Sequence, residues 1–195
     1  MQPPLAETSP LAQITELNRL FLSLLAALET TPEQPADRLS LGLDEQQRAA
    51  LLALSPQCLD TLTNAPVALF RLPLSRPQPG DHAGCEAWLS VRAHHARLAF
   101  ATAALSVMWH MLRSAPDWAR LGFGLGARQL LWLNNVPISA LPQLAVPAAE
   151  GLRVRFTRRG VFWPRVLLFA AREDCEQLRL AVAASVHLAS AQQRS

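Results

Sequence analysis

Apolar side chains along this chain fall into runs with helical spacing, separated by short segments rich in Pro, Gly and polar residues. Leu11, Ile14, Leu17, Leu20, Phe21, Leu24, Leu25 and Leu28 recur at intervals of three and four. That spacing predicts an amphipathic helix over residues 11–29, ended by Thr30–Thr31–Pro32. Asp44 is placed to cap a helix over 45–54, and Ser55 with Pro56 behind it to cap a second over 57–63. Residues 67–72 alternate enough for a short strand. A Pro- and Gly-rich stretch, 73–84, reads as a linker. Beyond it, Trp88, Val91, Leu98, Ala101, Leu105, Met108 and Leu112 predict one long helix over 85–113. Two short helices follow at 126–134 and 139–144, with the glycine cluster at 122–126 as the turn before them. Residues 152–169 read as a β-hairpin turning at Arg158–Arg159–Gly160, with Pro164 confining the return strand to an edge. A terminal helix is expected over 174–193.

The pattern occurs twice. Residues 38–47 (RLSLGLDEQQ) and 120–129 (RLGFGLGARQ) align without a gap at an offset of 82, with five of ten positions identical. The same offset superimposes Leu51 on Leu133, Leu54 on Val136, Leu59 on Leu141 and Leu62 on Leu144. Such a period is too long for a solenoid repeat. The expected fold class is mainly α: two similar small helical units, each ending in a short β segment, packed as an internal pseudo-dimer. The units are 11–72 and 85–195, preceded by a loose tail at 1–10 and joined by the linker at 73–84.

Half of the 195 residues are apolar, ample for a core. The chain has no Lys and no Tyr, so every basic side chain except His is Arg, which grips carboxylate or phosphate with a planar fork. Residues 1–100 hold seven Arg against ten acids, and residues 101–195 eleven Arg against five. The second half therefore faces an anionic partner, or the two halves face each other. Three cysteines at wide spacing make neither a disulfide framework nor a zinc quartet. No basic and apolar leader is visible at the N-terminus, and the apolar stretch 98–109 is too short to span a bilayer. A cytoplasmic protein without a membrane contact is the expectation.

Residues 41–72, LGLDEQQRAALLALSPQCLDTLTNAPVALFRL, resemble the core of the bacterial flagellar regulator family FlhD. The positions that carry the resemblance are Leu41, Gly42, Leu43, Asp44, Glu45, Leu52, Leu54, Ser55, Leu59, Leu62, Asn64, Val67, Phe70 and Arg71. A weakened copy covers 98–156, in which Gly126–Ala127 replaces the acidic pair. The resemblance implies a helical subunit that dimerises and activates transcription with a partner subunit, FlhC. A tandem chain would replace the homodimer. The family often has Cys beside the Val; Ala68 stands there, so the resemblance does not imply an intersubunit disulfide.

Arg153, Arg155, Arg158, Arg159 and Arg165 are the leading candidates for contact with nucleic acid or a partner, as one basic face of the expected hairpin. The alternative is a solvated face, or one paired with acids such as Asp44, Glu45 and Asp60. Arg128, with Arg120 nearby, would flank a helix-turn-helix at the second helix pair. Ser139 and Gln143 there, or Gln57, Asp60 and Thr63 in the first pair, make poor base readers. His82, Cys85, His94 and His95 do not converge as metal ligands should. Trp109, Trp118, Trp132 and Trp163 read as core, or as stacking platforms if exposed. No phosphate loop, nucleophile elbow or paired metal-binding histidines appear, so no enzyme, cofactor or metal is expected. Two functions remain: a transcriptional regulator subunit with an FlhC-like partner, or a protein-interaction adaptor of a secretion or conjugation system that does not bind DNA.

Overall fold

A computed structural model describes residues 9–30, 41–74, 91–157 and 162–192. The protein is mainly helical. Helix α1 (Pro10–Thr30) is followed by α2 (Glu45–Leu52), α3 (Pro56–Thr63) and strand β1 (Phe70–Arg71). Helices α4 (Val91–Ser114), α5 (Pro116–Phe123) and α6 (Ala127–Asn134) come next. A 3-10 turn (Ile138–Ala140) leads into α7 (Leu141–Glu150) and strand β2 (Arg153–Val154). Helices α8 (Phe162–Ala171), α9 (Cys175–Ala183) and α10 (Ser185–Gln192) complete the chain.

Local sequence explains the helix starts. The Asp44 carboxylate accepts from the Gln47 amide at 2.7 Å, and the Gln47 side chain accepts from the Asp44 amide in return. This closed capping box satisfies two of the amides that a helix start leaves unpaired. Ser55 caps α3 through the Cys58 amide, with Pro56 at the first helical position, where its missing N–H is no loss. Helix α5 was not anticipated. Ala115–Pro116 breaks the long helix, and Gly124, at φ +68°, closes α5 in a left-handed conformation.

The 82-residue offset recurs in the geometry. Helices α2 and α6 begin and end 82 residues apart. Gly42 and Gly124 both have positive φ, +89° and +68°. Leu43 and Leu125 are both buried. The Gln129 side chain accepts from the Gly126 amide at 3.0 Å, as Gln47 does at Asp44.

Helix α4 is the packing centre of the second half, touching α1, α5, α6 and α7. The core is continuous between the halves. Phe21 of α1, Phe70 of β1 and Phe100 of α4 meet pairwise with ring centroids 4.8–5.6 Å apart. Phe123 of α5 adjoins Phe70 at 6.3 Å. Burying a phenyl ring of this kind stabilises by about 1.5–3 kcal/mol. The two strands pair antiparallel across the halves, Phe70 with Val154 and Arg71 with Arg153.

Two expectations are corrected. The β-hairpin over 152–169 does not form. Strand β2 pairs with β1, and Phe156, at φ +68°, ends the extended run. The return segment is α8 instead, whose buried Phe162, Trp163, Val166, Leu167 and Ala170 follow helical spacing. Pro164 sits third in that helix, in the first turn, where amides have no intrahelical partner. The turn at Arg158–Arg159–Gly160 lies outside the described residues. The terminal helix is broken into α9 and α10, with Ala184 between them and Asp174 capping α9 through the Gln177 amide.

Pro10–Leu28 has the length and apolar character of a span, with mean hydropathy 1.3. Its Ile14, Leu17, Phe21, Leu24 and Leu25 are buried in the core.

Candidate interaction sites

Asn18 organises the junction beneath the basic ribbon. It is fully buried, 0% exposed, on the inner face of α1. Its amide nitrogen donates to the carbonyls of Ala65 and Val67 at 3.2 and 3.1 Å, with a longer contact to Thr63. Its carbonyl accepts from the Leu69 amide at 2.9 Å. One side chain thus pairs backbone groups of the segment between α3 and β1, which would otherwise be buried without partners. That segment then donates from Ala68 to the carbonyl of Gly122 at 2.9 Å.

The strand register places Arg71 directly opposite Arg153. Phe70 and Val154 point into the core, whereas Arg71 and Arg153 are exposed on the outer face. Arg153 donates to the carbonyls of Leu152 and Glu150 at 2.8 and 3.3 Å. Arg155 goes inward. It is 3% exposed, and its guanidinium donates to the carbonyl of Gly122 at 2.7 Å and, at 3.4 Å, to that of Ala68. It also stacks on Phe156, 4.9 Å from the ring centre. Its own carbonyl accepts from Trp163 Nε1 at 2.6 Å. Burial, and secondarily the charge of Arg71, pull the Arg155 guanidinium down to about 10.

The expected single basic face is therefore not assembled. Arg153 stays on the surface beside Arg71, a residue not singled out among the basic candidates, and Arg155 is committed to backbone carbonyls rather than to Asp44, Glu45 or Asp60. Arg158 and Arg159 lie outside the described residues. Arg165 is exposed on α8, on a separate apolar cleft with Phe162, Phe169, Leu180, His187 and Leu188. Arg128 is exposed in the first turn of α6.

No family model, curated protein or solved structure matches this chain.

The two helix pairs are unequally covered. Helix α8 packs on α2, and α9 packs on α3. The Cys58 thiol faces the carbonyl of Ala170 at 3.8 Å across that contact. Helix α10 turns away to α5. On the second pair, Leu131 is 69% exposed and Ile138 is 64% exposed. At the offset of 82 these positions correspond to Ala49 and Pro56, which are also solvent-facing but small or cyclic. Leu130, half-buried, stands where the first pair has the buried Arg48. Trp132 is half-buried in the same helix. Around this surface, Arg128 is exposed, and Arg113 lies over the Trp109 ring at 3.6 Å while donating to the carbonyl of Asn134. Sequence reading missed Leu131 and Ile138 as site residues, although the offset comparison with Ala49 and Pro56 contains the signal.

The tryptophans divide. Trp163 is buried, Trp109 and Trp132 are half-buried, and Trp118 is exposed. Trp109 Nε1 donates to the carbonyl of Val136 at 2.8 Å, tying α4 to the turn before Ile138. His94 is half-buried and His95 exposed, with ring centres 6.3 Å apart. Among the described residues no group of three or more potential metal ligands occurs. His82 and Cys85 lie outside those residues.

Proposed function

We propose that this chain is a scaffolding subunit of a transcription-regulating assembly, resembling FlhD, in which two tandem helical units form an internal pseudo-dimer. Its second helix pair receives a partner protein. The observation that carries this reading is the exposure of Leu131 and Ile138 where the first pair has Ala49 and Pro56. Large apolar side chains held in water at positions where the equivalent element has small ones have a use in association. The offset of 82 in helix bounds, in the two left-handed glycines and in the two Gln caps supports a duplicated origin. Arg128 and Arg113 beside the apolar residues favour a partner with acidic flanks. On this reading the partner supplies sequence readout, since Arg155 is buried and, among the described residues, no hairpin is available to enter a groove.

The test is affinity purification from the native cytoplasm of the full chain and of a Leu131→Glu/Ile138→Glu variant, with and without nuclease. A DNA-binding subunit or RNA polymerase that the variant no longer recovers supports the regulator. Components of a secretion or conjugation system, recovered regardless of nuclease, would support the adaptor reading instead. Recovery of the same proteins by the variant rules out this surface.

A further inference from the structure

The ribbon carries a cleft apart from the proposed partner surface. This cleft of about 310 Å³ is lined by Arg71, Arg153, Arg155 and Thr157, with Pro73 and Phe156 on its walls. That volume is at the lower end of the small-ligand range, roughly 300–1,000 Å³. Among the described residues, no Asp or Glu lines it. Among the described residues neither Arg71 nor Arg153 forms an ion pair. The antiparallel register holds these two on neighbouring strands, with Cα atoms about 5 Å apart. Like charges directly opposite one another destabilise a ribbon. Burial first, and the charge of Arg71 after it, lower the pKa of the inward-turned Arg155.

We propose that this cleft binds a small ligand through a terminal phosphate, held between Arg71 and Arg153. Arg forks match phosphate oxygens bidentately, and the exposed Thr157 supplies a hydroxyl at the same opening. A terminal phosphate fits better than a nucleic-acid backbone. The cleft has room for a small head group, whereas a diester carries a nucleoside on each side. Pro73 and Phe156 offer apolar wall to the body of the ligand. The anion offsets the repulsion between the arginines, so occupancy stabilises the ribbon where the two halves meet.

The experiment is calorimetric titration of the full chain with pyrophosphate, adenosine 5′-diphosphate and a 20-base-pair duplex. Wild type is compared with Arg71→Gln, Arg153→Gln and the double variant. Both substitutions are on exposed side chains, and melting curves verify the fold. Each single variant should weaken pyrophosphate about tenfold or more, the size of one charged hydrogen bond, and the double variant should abolish binding. Binding to wild type should also shift the Nε–H resonance of Arg155, a readout that needs no variant. Absence of pyrophosphate and diphosphate binding would overturn the site, as would equal affinity in the double variant. Duplex binding that pyrophosphate does not displace would assign the arginines to nucleic acid instead.

Discussion

Arg155 and Gly124 share a space that admits no additional carbon. A methyl group built on Gly124 would collide with Arg155 Nη2, while the same guanidinium donates to the carbonyl of Gly122 at 2.7 Å. Gly124 thus has a task that Gly42, its counterpart at the offset of 82, lacks. At Gly42 a methyl group would meet nothing closer than Thr157 at 3.5 Å.

Substitution at the two glycines should separate these tasks. Both have positive φ, so alanine at either costs about 1–2 kcal/mol in backbone strain. Gly124→Ala must also displace the buried Arg155. Urea unfolding should therefore show Gly124→Ala less stable than Gly42→Ala by a further margin of about 1–3 kcal/mol, the cost of disturbing a buried polar group. Equal losses would mean that Arg155 is not seated against Gly124.

Asn18 makes a sharper prediction. Asn18→Ala removes the acceptor of the Leu69 amide and the donor to the carbonyls of Ala65 and Val67. Leaving such groups unsatisfied costs about 1–3 kcal/mol each, so a total of about 3 kcal/mol or more is expected. Asn18→Asp should be worse, because a carboxylate would face three carbonyl oxygens. If Asn18→Asp were as stable as wild type at pH 7, the bonding assigned to Asn18 would be wrong.

Alkaline pH isolates Arg155. The chain has no Lys and no Tyr, so few other groups titrate near pH 10. Burial, and after it the charge of Arg71, lower Arg155 from the ordinary arginine value to about 10 in the folded state. Between those values the unfolded chain holds a proton that the folded chain has released. Stability therefore rises with pH in that window, and the contribution is flat below it, where both states are protonated. Arg71→Gln removes the neighbouring charge and should move the onset to higher pH. Denaturant midpoints measured from pH 8 to 11.5 check both statements, and an onset unmoved by Arg71→Gln would sever the link between the two arginines.

Much of the helical frame was legible because its signals are local. Asp44, Ser55 and Pro56 mark helix starts within a few residues of the helices they open, and Gly124 closes α5 where the glycine cluster suggested a turn. The misreadings come from two sources. Alternation of Leu152, Val154 and Phe156 suggested a long strand, but it holds only to Val154 before the left-handed Phe156. Pro164 reads as a strand-edge residue in sequence because its tolerance in a first helical turn depends on where the helix begins. Arg155 should face outward by strand alternation, yet it turns inward to the carbonyls of Gly122 and Ala68, far away in sequence. Local patterning carries no trace of such contacts.

The cover of the first helix pair is the most remote of these relationships, since Cys58 and Ala170 are 112 residues apart. It predicts a difference between two thiols. Cys58 is buried beneath α8, while Cys175, at the start of α9, is partly exposed. Site-resolved alkylation of the native protein should modify Cys175 quickly and Cys58 only when the cover opens. Leu178→Ala loosens the cover by removing a fully buried side chain of α9, at a cost of about 2–5 kcal/mol. Leu105→Ala, in α4, removes an equally buried side chain from a helix that packs elsewhere. Matched for global stability, Leu178→Ala should accelerate Cys58 modification and Leu105→Ala should not. If the two variants expose Cys58 equally, the thiol is reached by global unfolding, and α8–α9 is no separate lid on the first pair. If wild-type Cys58 reacts as fast as Cys175, the two helix pairs are equally bare, and the asymmetry that assigns the partner surface to Leu131 and Ile138 falls with it.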